Sequence, residues 1–116
     1  MNFRQYTVRG TMKISRDDMT LLRANRKKCT VRRGTISVEG EELQMTDGRA
    51  TEKVRILKVD NSKRFIDLSD AEAIEEGFRD KAELLADLRR FYPRIADEES
   101  VTVIYFERIE VTRSLF

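Results

Sequence analysis

Val101-Thr102-Val103-Ile104-Tyr105-Phe106-Glu107-Arg108-Ile109-Glu110-Val111 is the stretch on which the reading of this chain turns. In a strand successive side chains point to opposite faces, so Val101, Val103 and Tyr105 share one face while Thr102, Ile104 and Phe106 share the other. Apolar residues on both faces belong to a strand covered on both sides, a central or barrel strand rather than a solvated edge. The segments just before it read as helices. Ser69-Asp70-Ala71-Glu72 is a capping box that opens a short helix ended by Gly77. Asp80 and Glu83 repeat the signal for a second helix, with Leu84, Leu85, Leu88 and Phe91 on one face and Pro93 as its stop.

Further upstream the pattern is extended. Val54 to Val59 reads as a strand, with Val54 and Ile56 on one face and Leu57 and Val59 on the other. Phe65 and Ile66 read as a further extended piece. Gly34, Gly40 and Asp47-Gly48 punctuate the run from Arg33 to Val59, and Asp-Gly is a strong hairpin turn. Near the N-terminus, Phe3 to Lys13 alternates as a strand. Ser15 and Asp18 form a cap that predicts a short helix burying Met19 and Leu22 and stopping near Asn25, after which Cys29 to Arg32 has β character. The order is strand, helix, several strands, two helices, long strand. Strands dominate and helices cluster, which points to an α+β domain whose sheet curls into a small β-barrel, with its strand edges protected and short helices at its periphery.

Composition narrows the function classes. A chain of 116 residues suits one domain, 1–116, with a single core. No apolar run approaches the ~20 residues of a membrane helix, and Met1 to Gln5 lacks the apolar core of a signal peptide, so a cytoplasmic location and no membrane partner are expected. Cys29 is the only cysteine and there is no histidine. An internal disulfide, a Cys/His zinc site and any Ser-His or Cys-His catalytic pair are thereby excluded, and neither metal nor cofactor is implied. A general base has to be a carboxylate, a lysine or a tyrosine. The net charge of +2 conceals segregation: Arg23, Arg26, Lys27, Lys28, Arg32 and Arg33 run without an acid, whereas Asp67 to Asp87 is rich in acids. A local basic patch attracts phosphate even on a near-neutral molecule.

Three segments carry a family resemblance. Asn25-Arg26-Lys27-Lys28-Cys29-Thr30-Val31-Arg32 is similar to the Gly-Lys-Lys-Thr-x-(Glu/Thr)-x-Arg stretch of ASCH domains. Val54 to Val59, Phe65 to Ser69 and Ala73-Ile74-Glu75-Glu76-Gly77-Phe78 resemble that family's strand, acidic helix and Glu-Gly-Phe. Phe91-Tyr92-Pro93 and Val101 to Glu107 resemble its Tyr-Pro turn and final strand. The resemblance implies a PUA-like barrel with a cleft between the first helix and the Glu-Gly-Phe helix, where family members are thought to bind RNA. Some small bacterial members resemble amidohydrolases that deacetylate N4-acetylcytidine with a lysine, a threonine and a glutamate. Those roles fall on Lys27, Thr30 and Glu76, and the family's arginine on Arg32. Asn25 stands in place of the usual glycine, and Lys28 where the enzymes usually have threonine.

The residues themselves leave several readings open. Cations near a helix C-terminus are favoured by its dipole, so Lys27 and Lys28 need no further role. Glu76, just before the helix-ending Gly77, goes against that dipole, and a residue that breaks a local rule often has another duty. That duty is a salt bridge to Lys27 or Arg32, acceptance from a base's amino edge, or proton movement. Tyr6, Tyr105, Phe65 and Phe78 are candidates for base stacking, with Phe78 and Phe106 better placed as core. Cys29 reads as a small buried hydrophobe. The first expectation is an RNA- or modified-nucleoside-binding domain with Arg26, Lys28, Arg32 and Arg33 on the ligand. The alternative is an amidohydrolase using Lys27, Thr30 and Glu76, and a third class is a protein-interaction domain. The sequence fixes no oligomeric state.

Overall fold

A computed structural model describes residues 5–110. Its elements are β1 (Gln5–Lys13), α1 (Arg16–Arg23), β2 (Cys29–Arg33), β3 (Thr35–Thr46), β4 (Thr51–Arg64), α2 (Asp70–Glu76), α3 (Lys81–Phe91) and β5 (Ser100–Arg108). The five strands form one curled sheet in the order β1-β3-β4-β5-β2, parallel between β1 and β3 and antiparallel elsewhere. This is the α+β half-barrel with short peripheral helices that the element order predicts.

The double-sided character of β5 organises the interior. Ile104 and Phe106 face the inside of the curl, where they pack with Met12, Leu22, Leu43 and Val54. Val101 and Val103 face outward into a second cluster, made with Val31, Phe65, Leu84 and Leu88 under α2 and α3. Thr102 lies on the inner face and is buried without strain, because its hydroxyl donates to the Gly34 carbonyl and accepts from the Ile36 amide.

The helix boundaries follow the capping signals. Ser15 accepts from the Asp18 amide at 3.0 Å, Ser69 from Glu72, and Asp80 from Glu83. Asn25 takes the left-handed conformation at φ 57°, with its amide bonded to the Leu22 carbonyl and that of Arg26 to Leu21, which is a Schellman closure of α1.

Several expectations shift. Gly40 does not end a strand: it is a bulge within β3, opposite Gly10 of β1, both at positive φ. The Asp47-Gly48 turn spans four residues, since the Asp47 carboxylate gathers the Arg49 and Ala50 amides. The strand over Val54 to Val59 is part of a longer one; Leu57 lies on the outer face, 58% exposed, and the bulge between Ile56 and Lys58 returns Val59 to the inner core with Val54 and Ile56. Phe65 to Asp67 is a turn of 3-10 helix, closed by the Asp67 carboxylate accepting from the Arg64 backbone and guanidinium, rather than an extended piece. β5 ends at Arg108, and Phe3, Arg4 and Val111 lie outside the described residues. No helix among the described residues is long and apolar enough to cross a membrane.

Candidate functional site

Two helix ends meet beneath β2. The left-handed turn at Asn25 redirects the chain so that Lys27 runs inward, and its side chain is 0% exposed. Gly77, at φ 102°, ends α2 and leaves Glu76 at the last helical position, where an ideal Cβ on Gly77 would lie 2.9 Å from Leu21 Cδ1. That close approach lets α2 lean onto the end of α1, and the Lys28 amide bonds the Glu75 carbonyl at 2.6 Å. Lys27 Nζ then donates directly to Glu76 Oε1, while Oε2 accepts from the Val31 amide at 2.8 Å and Asp18 Oδ1 stands 3.8 Å from the same ammonium. The acid that its own helix dipole disfavours is thus held by a cation and an amide from elsewhere in the chain.

Above this pair lies an open cleft of about 320 Å³, at the lower end of the roughly 300–1,000 Å³ of small-molecule sites. Glu76 and Thr30, both buried, form its floor together with Arg32. Lys13, Ser15 and Asp18 line it from β1 and α1, and Asp87, Phe91 and Tyr92 line it from the end of α3. Arg32 spans the hollow: its Nε donates to Thr30 Oγ1 at 3.2 Å and its Nη2 to the Lys13 carbonyl at 2.9 Å. Burial pushes the Glu76 carboxyl above the usual carboxylate range, and Lys27 opposes the shift without cancelling it. Burial also raises Asp87, against the pull of Arg90 and with the negative charge of Asp18 adding to the rise.

Thr30, Arg32 and Glu76 therefore line one hollow, and Lys27, whose own surroundings are a neighbouring depression with Lys28, Glu75 and Tyr105, is joined to it through Glu76. The other basic candidates are not. Arg33 points away and makes a two-pronged ion pair with Glu99, both bonds at 2.6 Å, beside the Tyr92 ring. Arg26 and Lys28 border a separate depression with Ile74 and Phe78. Among the aromatics, Phe65 and Phe106 are core, Phe78 packs against the outer cluster, and Tyr6 and Tyr105 do not line the cleft. Cys29 is fully buried, its thiol pushed up by burial and then by the Glu76 charge, and it donates to the Glu72 carbonyl. No group of three or more His, Cys, Asp or Glu among the described residues could hold a metal ion.

No protein-family profile and no curated protein sequence matches the chain. Solved structures do. An ASCH domain from Lactobacillus crispatus superposes with a TM-score of 0.69 at 15% identity, covering 90% of this chain and 79% of that one. The fold is of the ASCH type. A protein from Enterococcus faecalis matches with a TM-score of 0.68 at 17% identity over 94% of this chain and 78% of its own. A Pyrococcus furiosus protein solved by NMR matches at 0.60 and 21% identity, over 90% and 100%. At such identities the likeness is one of fold, and it places the ASCH-type half-barrel beneath the cleft without assigning a role to any residue in it.

Asp18, Asp87, Phe91 and Tyr92 are cleft residues that the sequence reading missed. Asp18 is accounted for locally as an acid in the first turn of α1 whose amide is capped by Ser15, and its contact with Lys27 depends on where Lys27 arrives. Asp87 and Phe91 carried a signal: they are four apart on one face of α3, in the turn that Pro93 terminates.

Proposed function

We propose that this chain is an RNA- or modified-nucleoside-binding domain, with Glu76 reading the amino edge of a base in the cleft and Arg32 meeting ribose or phosphate. One observation carries the reading: a buried glutamate, anchored through both oxygens by Lys27 and the Val31 amide, lies on the floor of a hollow of nucleoside dimensions. A carboxylate has about four lone-pair positions, so two anchoring bonds leave acceptor capacity for a ligand's N–H. Acceptance from a cytosine amine is chemically apt. Arg32 uses two of the five N–H donors of its guanidinium on Thr30 and Lys13, and the planar fork suits phosphate or a ribose hydroxyl. The resemblance to ASCH domains, thought to bind RNA in this cleft, supports the same conclusion.

A second reading, deacetylation of N4-acetylcytidine, is favoured by the presence of Thr30 beside Glu76 on the cleft floor with Lys27 against that glutamate. In this reading a neutral Lys27 would take the Thr30 Oγ1 proton as that oxygen attacks the acetyl carbonyl and would pass it to N4 as the C–N bond breaks; cytidine would leave, oriented by Glu76, and water would then hydrolyse the acetyl-threonine ester to acetate. Pure protein mixed with N4-acetylcytidine and followed by chromatography separates the two. Cytidine release abolished by both Lys27→Ala and Glu76→Ala establishes the enzyme. No release, with RNA retention that weakens steeply as salt rises, establishes the binding domain. Indifference to nucleoside and RNA alike removes both readings and leaves protein interaction.

A further inference from the structure

The last turn of α3 carries a feature that neither reading uses. Leu84, Leu85 and Leu88 form a buried apolar stripe, and Phe91 is its next member at helical spacing. Instead of burying, Phe91 emerges 57% exposed at the mouth of the cleft, with the Arg90 guanidinium 5.6 Å from its ring centroid. Tyr92 lines the same wall. Covering this phenylalanine removes more apolar surface from water than covering any other side chain of the cleft, because Ile14, Val31 and Leu88 are already buried, while Glu76, Thr30, Arg32, Asp18 and Asp87 supply the polar groups. A hollow that is hydrogen-bonding at its floor and aromatic at its mouth matches a planar ring with one polar edge.

We propose that Phe91 is the stacking residue of the site, lying against the face of a nucleobase whose amino edge reaches Glu76. This rests on the nucleoside reading and adds a specificity-determining residue to it. Ring stacking tolerates different bases but requires a π face, so the site takes heteroaromatic rings and discriminates against ribose or an open-chain amide with the same hydrogen-bonding groups.

The test is calorimetric titration of cytidine and N4-acetylcytidine into wild type, Phe91→Ala, Phe91→Leu and Phe91→Trp, with cytidine-rich RNA as a further probe. Base stacking of about 1–3 kcal/mol predicts that Phe91→Ala binds about 5- to 150-fold more weakly, Phe91→Leu is also impaired, and Phe91→Trp is retained. Because the side chain is largely exposed, melting temperatures of the variants stay close to wild type. Wild-type affinity in both Phe91→Ala and Phe91→Leu overturns the stacking role while leaving the cleft as a binding site. Full affinity in Phe91→Leu alone reduces the ring to an apolar cover and overturns it equally. A wild type that binds neither nucleoside nor RNA overturns the underlying reading, and the stacking role with it.

Discussion

Removing either half of the Lys27–Glu76 pair strands the other where water cannot replace it. Breaking a buried ion pair from one side costs about 3–5 kcal/mol, whereas replacing both partners with apolar groups of similar volume is often close to neutral. Lys27→Met and Glu76→Leu should each lower stability by roughly that amount, and the double variant by much less than their sum, as urea denaturation of the four proteins would reveal. The pair also sets a pH dependence. The folded carboxyl of Glu76 is raised, by burial first, above its unfolded value of 4.5. Its contribution to stability is therefore fully present below that value and is lost as pH rises through the folded one. Melting from about pH 4 to about pH 8 should show the wild type losing ground relative to Glu76→Gln. A gap that widens with pH would mean that Lys27 outweighs burial. Glu76 was legible in the sequence because an acid at a helix C-terminus violates a local rule. Asp18 was not, since it obeys every local rule and acquires its second contact only through the tertiary fold.

Caps and turns are local chemistry, and at the scale of elements they read true. The starts of α1, α2 and α3 followed from Ser15, Ser69 and Asp80, and the ends of α1 and α2 from Asn25 and Gly77. Gly77 does more than stop α2, because its missing Cβ lets Leu21 approach and brings Glu76 to Lys27. Gly77→Ala combines a left-handed backbone with that 2.9 Å contact, and should cost more than the ~1 kcal/mol of the backbone conformation alone, measured by thermal melting. Bulges were the illegible part. Nothing local to Leu57 announces that β4 takes an extra residue there, as the partner strand β5 decides it. The two assignments of faces differ in outcome: Leu57→Lys should stay within about 0.5 kcal/mol of wild type, while Val59→Lys should cost about 1–3 kcal/mol. Equal losses at both positions would contradict the bulge.

Across the whole molecule, β5 joins an inner core and an outer one, with Ile104 in the first and Val103 in the second. Neither cluster can come apart without releasing the strand they share. Ile104→Ala should cost about 2–5 kcal/mol and Val103→Ala somewhat less, and each should shift one transition that coincides by circular dichroism and tyrosine fluorescence. Two separated transitions would show the cores to be independent. The curl of the sheet leaves β1 and β2 at opposite ends of the strand order, and they come near each other at the cleft. There the bond from Arg32 to the Lys13 carbonyl joins the two edge strands by a side chain, where neighbours inside the sheet are joined by rows of amides. The aperture of the half-barrel is accordingly governed by a guanidinium that one rotamer change can release. Widening that seam costs the bond from Arg32 to Lys13 and leaves the backbone ladders of β1 and β2 closed.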